Sequence, residues 1–164
     1  MDAYLDIETT GLSWEYAQIT VIGIYLVDGF NSRLVQMVGE DITCSKLLLS
    51  LEGIENIFTY NGSRFDLPFI NNTLGVNLAK QKKHRDLMYD CWCCNLRGGL
   101  KSVERQLGIS RKLQGIGGLD AVRLWWQYRN YNDTNALKTL LKYNGEDVIN
   151  LKVLRDRLQC FNID

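Results

Sequence analysis

Tyr4-Leu5-Asp6-Ile7-Glu8-Thr9-Thr10-Gly11-Leu12 decides how this chain is read. Ala3–Glu8 has the composition of a strand, and a turn at Thr10–Gly11 follows it. Side chains two apart on a strand leave the same face. Asp6 and Glu8 therefore point together, while Leu5 and Ile7 point the opposite way, into a core. Neighbouring carboxylates repel, and burying them is costly unless something positive compensates. A divalent cation is the obvious compensator. The bland alternative is a solvated strand face, and a bare Asp-x-Glu is more often that.

Downstream of this stretch, Ile19–Val27 reads as a second, buried strand, Asp28–Gly29 as a hairpin turn, and Arg33–Val38 as an antiparallel third strand. Leu47–Leu51 predicts a short helix and Ile57–Tyr60 a further strand ending at the Asn61–Gly62 turn. Beyond it the apolar period becomes helical over Leu67–Leu74, Leu87–Leu96, Leu100–Leu107 and Leu119–Tyr128. A last helix runs from Thr134 to about Leu158, capped by Thr134 or Asp133. Strands first and helices after predict an α/β fold: a mixed sheet, antiparallel hairpin plus parallel strands, flanked by helices. No linker, repeat or low-complexity tract divides it, so one domain over 1–164 is expected.

With 164 residues, 46% of them hydrophobic, the chain can bury a core without disulfides. It has no apolar run long enough for a membrane span and no leader pattern, so no membrane association and a cytoplasmic location are expected. Nineteen basic residues balance nineteen acidic ones, which counts only weakly against a nucleic-acid partner, because holding one strand end needs only a local basic track. Lys80, Lys82, Lys83, His84 and Arg85 form the densest basic cluster, read either as a solvated loop or as a substrate-facing one. Five cysteines and a single histidine favour free thiols over a zinc site.

Two further acidic clusters stand out. Asp66 falls where the turn after Tyr60 meets a predicted helix, with Pro68 early in it; taken alone it is a helix cap. Tyr143 and Asp147 stand at i and i+4 and share a helix face. Gly145 between them implies a local bend or a close approach by another backbone. Glu146 points elsewhere and reads as a solvated residue. Oxygen donors from three segments suit Mg²⁺ or Mn²⁺, and two such ions about 3.5–4 Å apart can clamp a phosphodiester.

These residues carry a resemblance. Asp6-Ile7-Glu8-Thr9-Thr10-Gly11-Leu12 resembles the first motif of the DEDD exonuclease superfamily, which has a ribonuclease H-like fold. Tyr60-Asn61-Gly62-Ser63-Arg64-Phe65-Asp66-Leu67-Pro68-Phe69 is similar to the second motif as it stands in family B DNA polymerase proofreading domains. Tyr143-x-x-x-Asp147 matches the third motif of the tyrosine subgroup. His84-Arg85-Asp86-Leu87-Met88 and Leu100-Lys101-Ser102-Val103-Glu104 look like segments of the YprB-type exonuclease domain, and the likeness spans about 3–158.

The resemblance implies a two-metal 3′→5′ exonuclease acting on a nucleic acid, DNA or RNA, at a single-stranded 3′ end. It implies that Asp6 bridges both ions, that Glu8 and Asp147 serve the ion at the attacking water, that Tyr143 orients that water, and that Asp66 holds the second ion through water. Thr9, Gly11 and Leu12 would line the terminal nucleotide, with Asn61 and Phe65 as further substrate contacts. Phe65 and Leu12 read equally well as core. Asp86 reads as a cap for the Leu87 helix or a group near the site; Trp125 and Trp126 could stack on bases, but as an adjacent pair on a helix at least one reads as core. An endonuclease on the same fold and an inactive nucleic-acid-binding domain stay open beside the exonuclease reading.

Overall fold

Turn chemistry and alternation build the first half of the molecule. A computed structural model describes residues 1–160; residues 161–164, included in the expected single domain, lie outside the described residues. Strand β1 spans Asp2–Thr9, β2 Ile19–Asp28 and β3 Asn31–Val38. Asp28 pairs with Asn31 across the hairpin turn, as Asp28–Gly29 predicts. Strands β4 (Asn56–Thr59) and β5 (Lys83–Asp86) complete a five-stranded sheet of order β3-β2-β1-β4-β5. β1–β2 and β2–β3 are antiparallel, β1–β4 and β4–β5 parallel. The expected mixed sheet is present.

Helices cover both faces. Ala3, Leu5 and Ile7 enter a core with Leu47 of α1 (Cys44–Ser50), Phe69 and Ile70 of α2 (Asp66–Leu74), and Leu78 of α3 (Leu78–Gln81). Tyr4 packs on the other face with Phe58, Cys91 of α4 (Leu87–Cys93) and Val103 of α5 (Leu100–Gln106). Leu151 and Leu154 of α7 (Thr134–Gln159) close that core. Asp133 caps α7 by accepting from the Asn135 and Ala136 amides. Helix α6 (Gly118–Tyr131) buries Trp125 and leaves Trp126 about half exposed, as a helix with adjacent tryptophans must. No helix among the described residues is long and apolar enough to cross a membrane.

The basic cluster is a correction. Lys83, His84 and Arg85 are not loop residues but form edge strand β5, and Lys80 lies in α3. Charged side chains hide a strand from periodicity, and they are what an exposed sheet edge uses to resist pairing with other chains. His84 Nε2 lies 2.8 Å from the Thr59 hydroxyl on the neighbouring strand.

Two features of the sheet place the acidic residues singled out in the sequence. Pairing between β1 and β4 stops at Tyr4 and Phe58, so Ile7 has no strand neighbour on that side. On the other side Asp6 pairs with Gly23 of β2, and α7 crosses the sheet there. A Cβ at Gly23 would lie 2.1 Å from the Asn144 amide oxygen of α7, so only glycine permits this approach. At Gly145 the helix runs unbroken. The close neighbour is the Leu34 side chain of β3, 3.1 Å from a Cβ built there, rather than a backbone.

Gly23→Ala should therefore destabilise the fold by about 1–3 kcal/mol, the usual cost of overpacking. The Gly23→Ala/Asn144→Ala double variant should lose less than the sum of the two single losses, because removing the amide makes room for the methyl group. Denaturant titration of the four proteins measures this. Strictly additive losses would contradict the packing described.

Candidate functional site

β1 presents Asp6 and Glu8 on the face that α7 covers, and α7 brings Asp147 to them. One carboxylate oxygen from each of the three lies within 4.8 Å of the other two. Glu8 and Asp147 are buried and Asp6 is partly so. Tyr143, one turn before Asp147, is buried on the same helix face. Asn144 was not singled out by the sequence reading. Its Nδ2 donates to Asp6 Oδ2 at 3.3 Å and to the Asp6 carbonyl at 3.4 Å, while its Oδ1 accepts from Gln36 at 2.9 Å.

Asp66 stands beside this trio rather than in it. It is the first residue of α2, not its cap, since Phe65 precedes it without a side-chain capping bond. Its Oδ1 accepts the Ile7 N–H at 3.0 Å, on the flank of β1 that β4 leaves open.

Cations offset part of the charge. The Arg111 guanidinium bonds to both oxygens of Glu104, at 2.8 and 2.7 Å, and also pairs with Asp147. Glu104 is fully buried and accepts from Asn150 at 2.9 Å. Glu146 is not solvated, contrary to expectation. Its carboxylate accepts from the Lys112 and Leu113 amides and lies 3.7 Å from Arg111 Nε, pinning the loop that carries Arg111. Lys101 Nζ donates to the Tyr143 hydroxyl at 2.8 Å and to the Ile116 carbonyl. Neither Lys101 nor Arg111 carries a spacing signal in the sequence that marks it as part of the site.

Burial, then the neighbouring carboxylates, hold Asp6 and Glu8 well above the ordinary carboxylate range. Burial also raises Asp147, against the opposing pull of Arg111. Asp66 is pushed up to about 7, mainly by burial, with the Ile7 N–H working the other way. Tyr143 is raised by burial and by Asp147, so it stays a phenol and a donor at neutral pH. Excess negative charge from oxygen donors alone, in a partly dry setting, fits a hard divalent cation.

A cavity of about 650 Å³ opens beside the trio, and Asp6, Asn61, Lys101, Tyr143 and Asp147 are among its walls. Asn61 has a left-handed backbone (φ 63°), and its N–H donates to Asp86 Oδ1 at 2.7 Å. Asp86 also accepts from the Ser63 amide at 3.0 Å and the Met88 amide at 3.2 Å, so it caps α4 as expected and holds this turn as well. Thr9, Gly11, Leu12 and Phe65 lie outside the cavity wall. The Thr9 hydroxyl donates to the Gly11 carbonyl at 2.6 Å. Leu12 is 87% exposed. Phe65 is half-buried against Phe69, ring centroids 5.5 Å apart.

Residues 3–159 match the family model of the RNase_H superfamily. No curated protein matches the sequence. Among solved structures, the fold is similar to the family B DNA polymerase from the hyperthermophilic archaeon Pyrobaculum calidifontis, with TM-score 0.72 and 16% identity over 96% of this chain and 24% of that one. A nuclease in its apo form gives TM-score 0.67 and 19% identity over 97% and 72% of the two chains. Brucella melitensis NrnC gives TM-score 0.63 and 20% identity over 96% and 71%. At these identities the likeness is one of fold, and the fold is ribonuclease H-like.

The raised Asp66 has a measurable consequence. Its pKa rises from an ordinary 3.8 to about 7 on folding, so the folded state binds the proton more tightly than the unfolded state. Its stabilising contribution is complete below pH 3.8 and is lost as pH rises through about 7. In EDTA, thermal stability of the wild type should fall across that window more steeply than that of Asp66→Asn, whose amide oxygen can still accept from Ile7. Equal slopes would refute the assignment.

Proposed function

The chain belongs to the RNase_H superfamily, and on that footing we propose that it is a metal-dependent 3′→5′ exonuclease of the tyrosine-type DEDD class. Its substrate is the single-stranded 3′ end of a nucleic acid. The observation that carries this reading is the convergence of Asp6, Glu8 and Asp147 within 4.8 Å, with Tyr143 one helical turn away. NrnC, which shares the fold, has been solved with bound Mg²⁺ and with pGG. An E. coli ExoI–ssDNA complex shares it at TM-score 0.51.

Asp6, Glu8 and Asp147 are the residues to hold one Mg²⁺ or Mn²⁺, and Asp6 with Asp66 a second. When bound, the cations supply Lewis-acid polarisation and charge neutralisation at the phosphoryl group. The chain's own residues do the positioning. Asn144 fixes Asp6 through its carboxylate and carbonyl. Arg111, itself held by Glu104, fixes Asp147. Because the Tyr143 oxygen accepts from Lys101, the phenolic proton remains free to donate to the attacking water or to a phosphoryl oxygen. Lys101 brings positive charge to the cavity wall, where a phosphate enters. Asn61 lines the cavity; Thr9, Gly11, Leu12 and Phe65 lie off its wall and are kept, with Asn61, as proposed contacts for the terminal nucleotide.

Purified protein should release mononucleotides from the 3′ end of 5′-labelled DNA or RNA in Mg²⁺ or Mn²⁺, and EDTA should stop it. Asp6→Ala and Asp147→Ala should each abolish turnover while melting as folded proteins. Tyr143→Phe should retain residual activity, about 10²-fold reduced, the usual cost of losing one positioned donor. Wild-type activity in either aspartate variant would overturn the reading, and cuts within a circular single strand would replace it with an endonuclease.

A further inference from the structure

The cavity beside the carboxylates continues to a rim of different chemistry. Trp92, near the end of α4, is one of its walls, with the Gly98–Gly99 backbone next to it. Two arginines gather on that indole: the guanidinium carbon of Arg64 lies 5.9 Å from the Trp92 ring centroid and that of Arg97 lies 5.8 Å from it. Tyr89 meets Trp92 edge-on at 5.3 Å and also lies 6.0 Å from Arg64.

These contacts draw together two charges from separate segments, one in the Asn61–Phe65 turn and one in the loop before α5. Both arginines are exposed. Arg111, Arg123, Arg129 and Arg155 each face a carboxylate. Arg64 and Arg97 stand in no ion pair among the described residues. Aromatic contact orients a guanidinium while leaving its N–H groups free, and the planar fork suits phosphate. The Tyr60 hydroxyl donates to the Gly98 carbonyl at 2.6 Å and ties the Arg97 loop to the end of β4. Lys101, two residues beyond Gly99, continues the positive line toward Tyr143.

We propose that Arg64 and Arg97, gathered on Trp92, form a phosphate-binding rim that holds the nucleic-acid strand on the 5′ side of the bond to be cut. The proposal rests on reading the carboxylate site as one that cuts a strand end. Charge complementarity and contact with the cavity select the occupant: a polyanion whose end lies at Asp6 and Asp147 and that follows the cavity reaches Trp92, on which both guanidiniums sit. Recognition there is of backbone phosphate, so it is independent of sequence.

The test is binding of a short 5′-fluorescein single strand, followed by anisotropy with Ca²⁺ in place of Mg²⁺, at several salt concentrations. Arg64→Ala and Arg97→Ala should each weaken binding several-fold. Each should also reduce the magnitude of the slope of log K against log salt by about 0.7, the value for one phosphate contact on a single strand. Arg64→Lys and Arg97→Lys keep the charge and should keep most of the slope. Unchanged affinity and slope in both alanine variants, while the wild type binds and cuts, would overturn this rim and leave the exonuclease reading intact. A wild type that neither binds nor cuts any strand would overturn both.

Discussion

Mutual repulsion among buried carboxylates is the constraint around which this molecule is organised. Asp6, Glu8 and Asp147 converge within 4.8 Å, with Asp66 bonded to the intervening Ile7 amide. Left alone, such a cluster would open or take up protons, since burial and mutual repulsion raise Asp6 and Glu8, and burial raises Asp66. The rest of the fold prevents the first. β1 sits at the centre of the sheet with apolar residues packed on both faces, so Asp6 and Glu8 cannot retreat. The end of the β1–β4 ladder at Tyr4 leaves an amide for Asp66. Gly23 lets α7 come close enough for Asn144 to reach Asp6.

Arg111 answers the same constraint from the opposite side. It pairs with Glu104, Glu146 and Asp147 at 10% side-chain exposure. Buried ion networks of this kind seldom add net stability over apolar packing, yet removing one partner strands the others and costs about 3–5 kcal/mol. Its value here lies in geometry. The guanidinium fixes Asp147 facing Asp6 and Glu8, and the Glu146 carboxylate pins the loop from which Arg111 projects. Asp147 is thereby held in place by the protein's own contacts. The same economy runs outward along the cavity, where Lys101 holds Tyr143 and Trp92 gathers two more guanidiniums.

Much of this was legible in the residues. Period-two alternation placed Asp6 and Glu8 on one face, and the i, i+4 rule placed Tyr143 beside Asp147; both depend on local geometry alone. The Asp28–Gly29 hairpin and the long last helix were legible for the same reason. Asp66 was only half legible, because its bond to Ile7 depends on where β4 stops pairing, a fact of tertiary register. Glu146 was misjudged as solvated: its partners, the Lys112 and Leu113 amides, lie more than 30 positions away. Asn144 and Arg111 have no signal in spacing, since the bonds they make to Asp6 and Asp147 each span more than 30 positions. β5 was hidden because an edge strand is free to carry the charges that elsewhere mark a loop.

If the proposed function holds, the three gathered carboxylates take up a divalent cation. Anomalous diffraction from crystals soaked in Mn²⁺ should then show a manganese peak between Asp6, Glu8 and Asp147. A saturating soak that leaves that position without a peak, or places manganese only elsewhere on the chain, would contradict it.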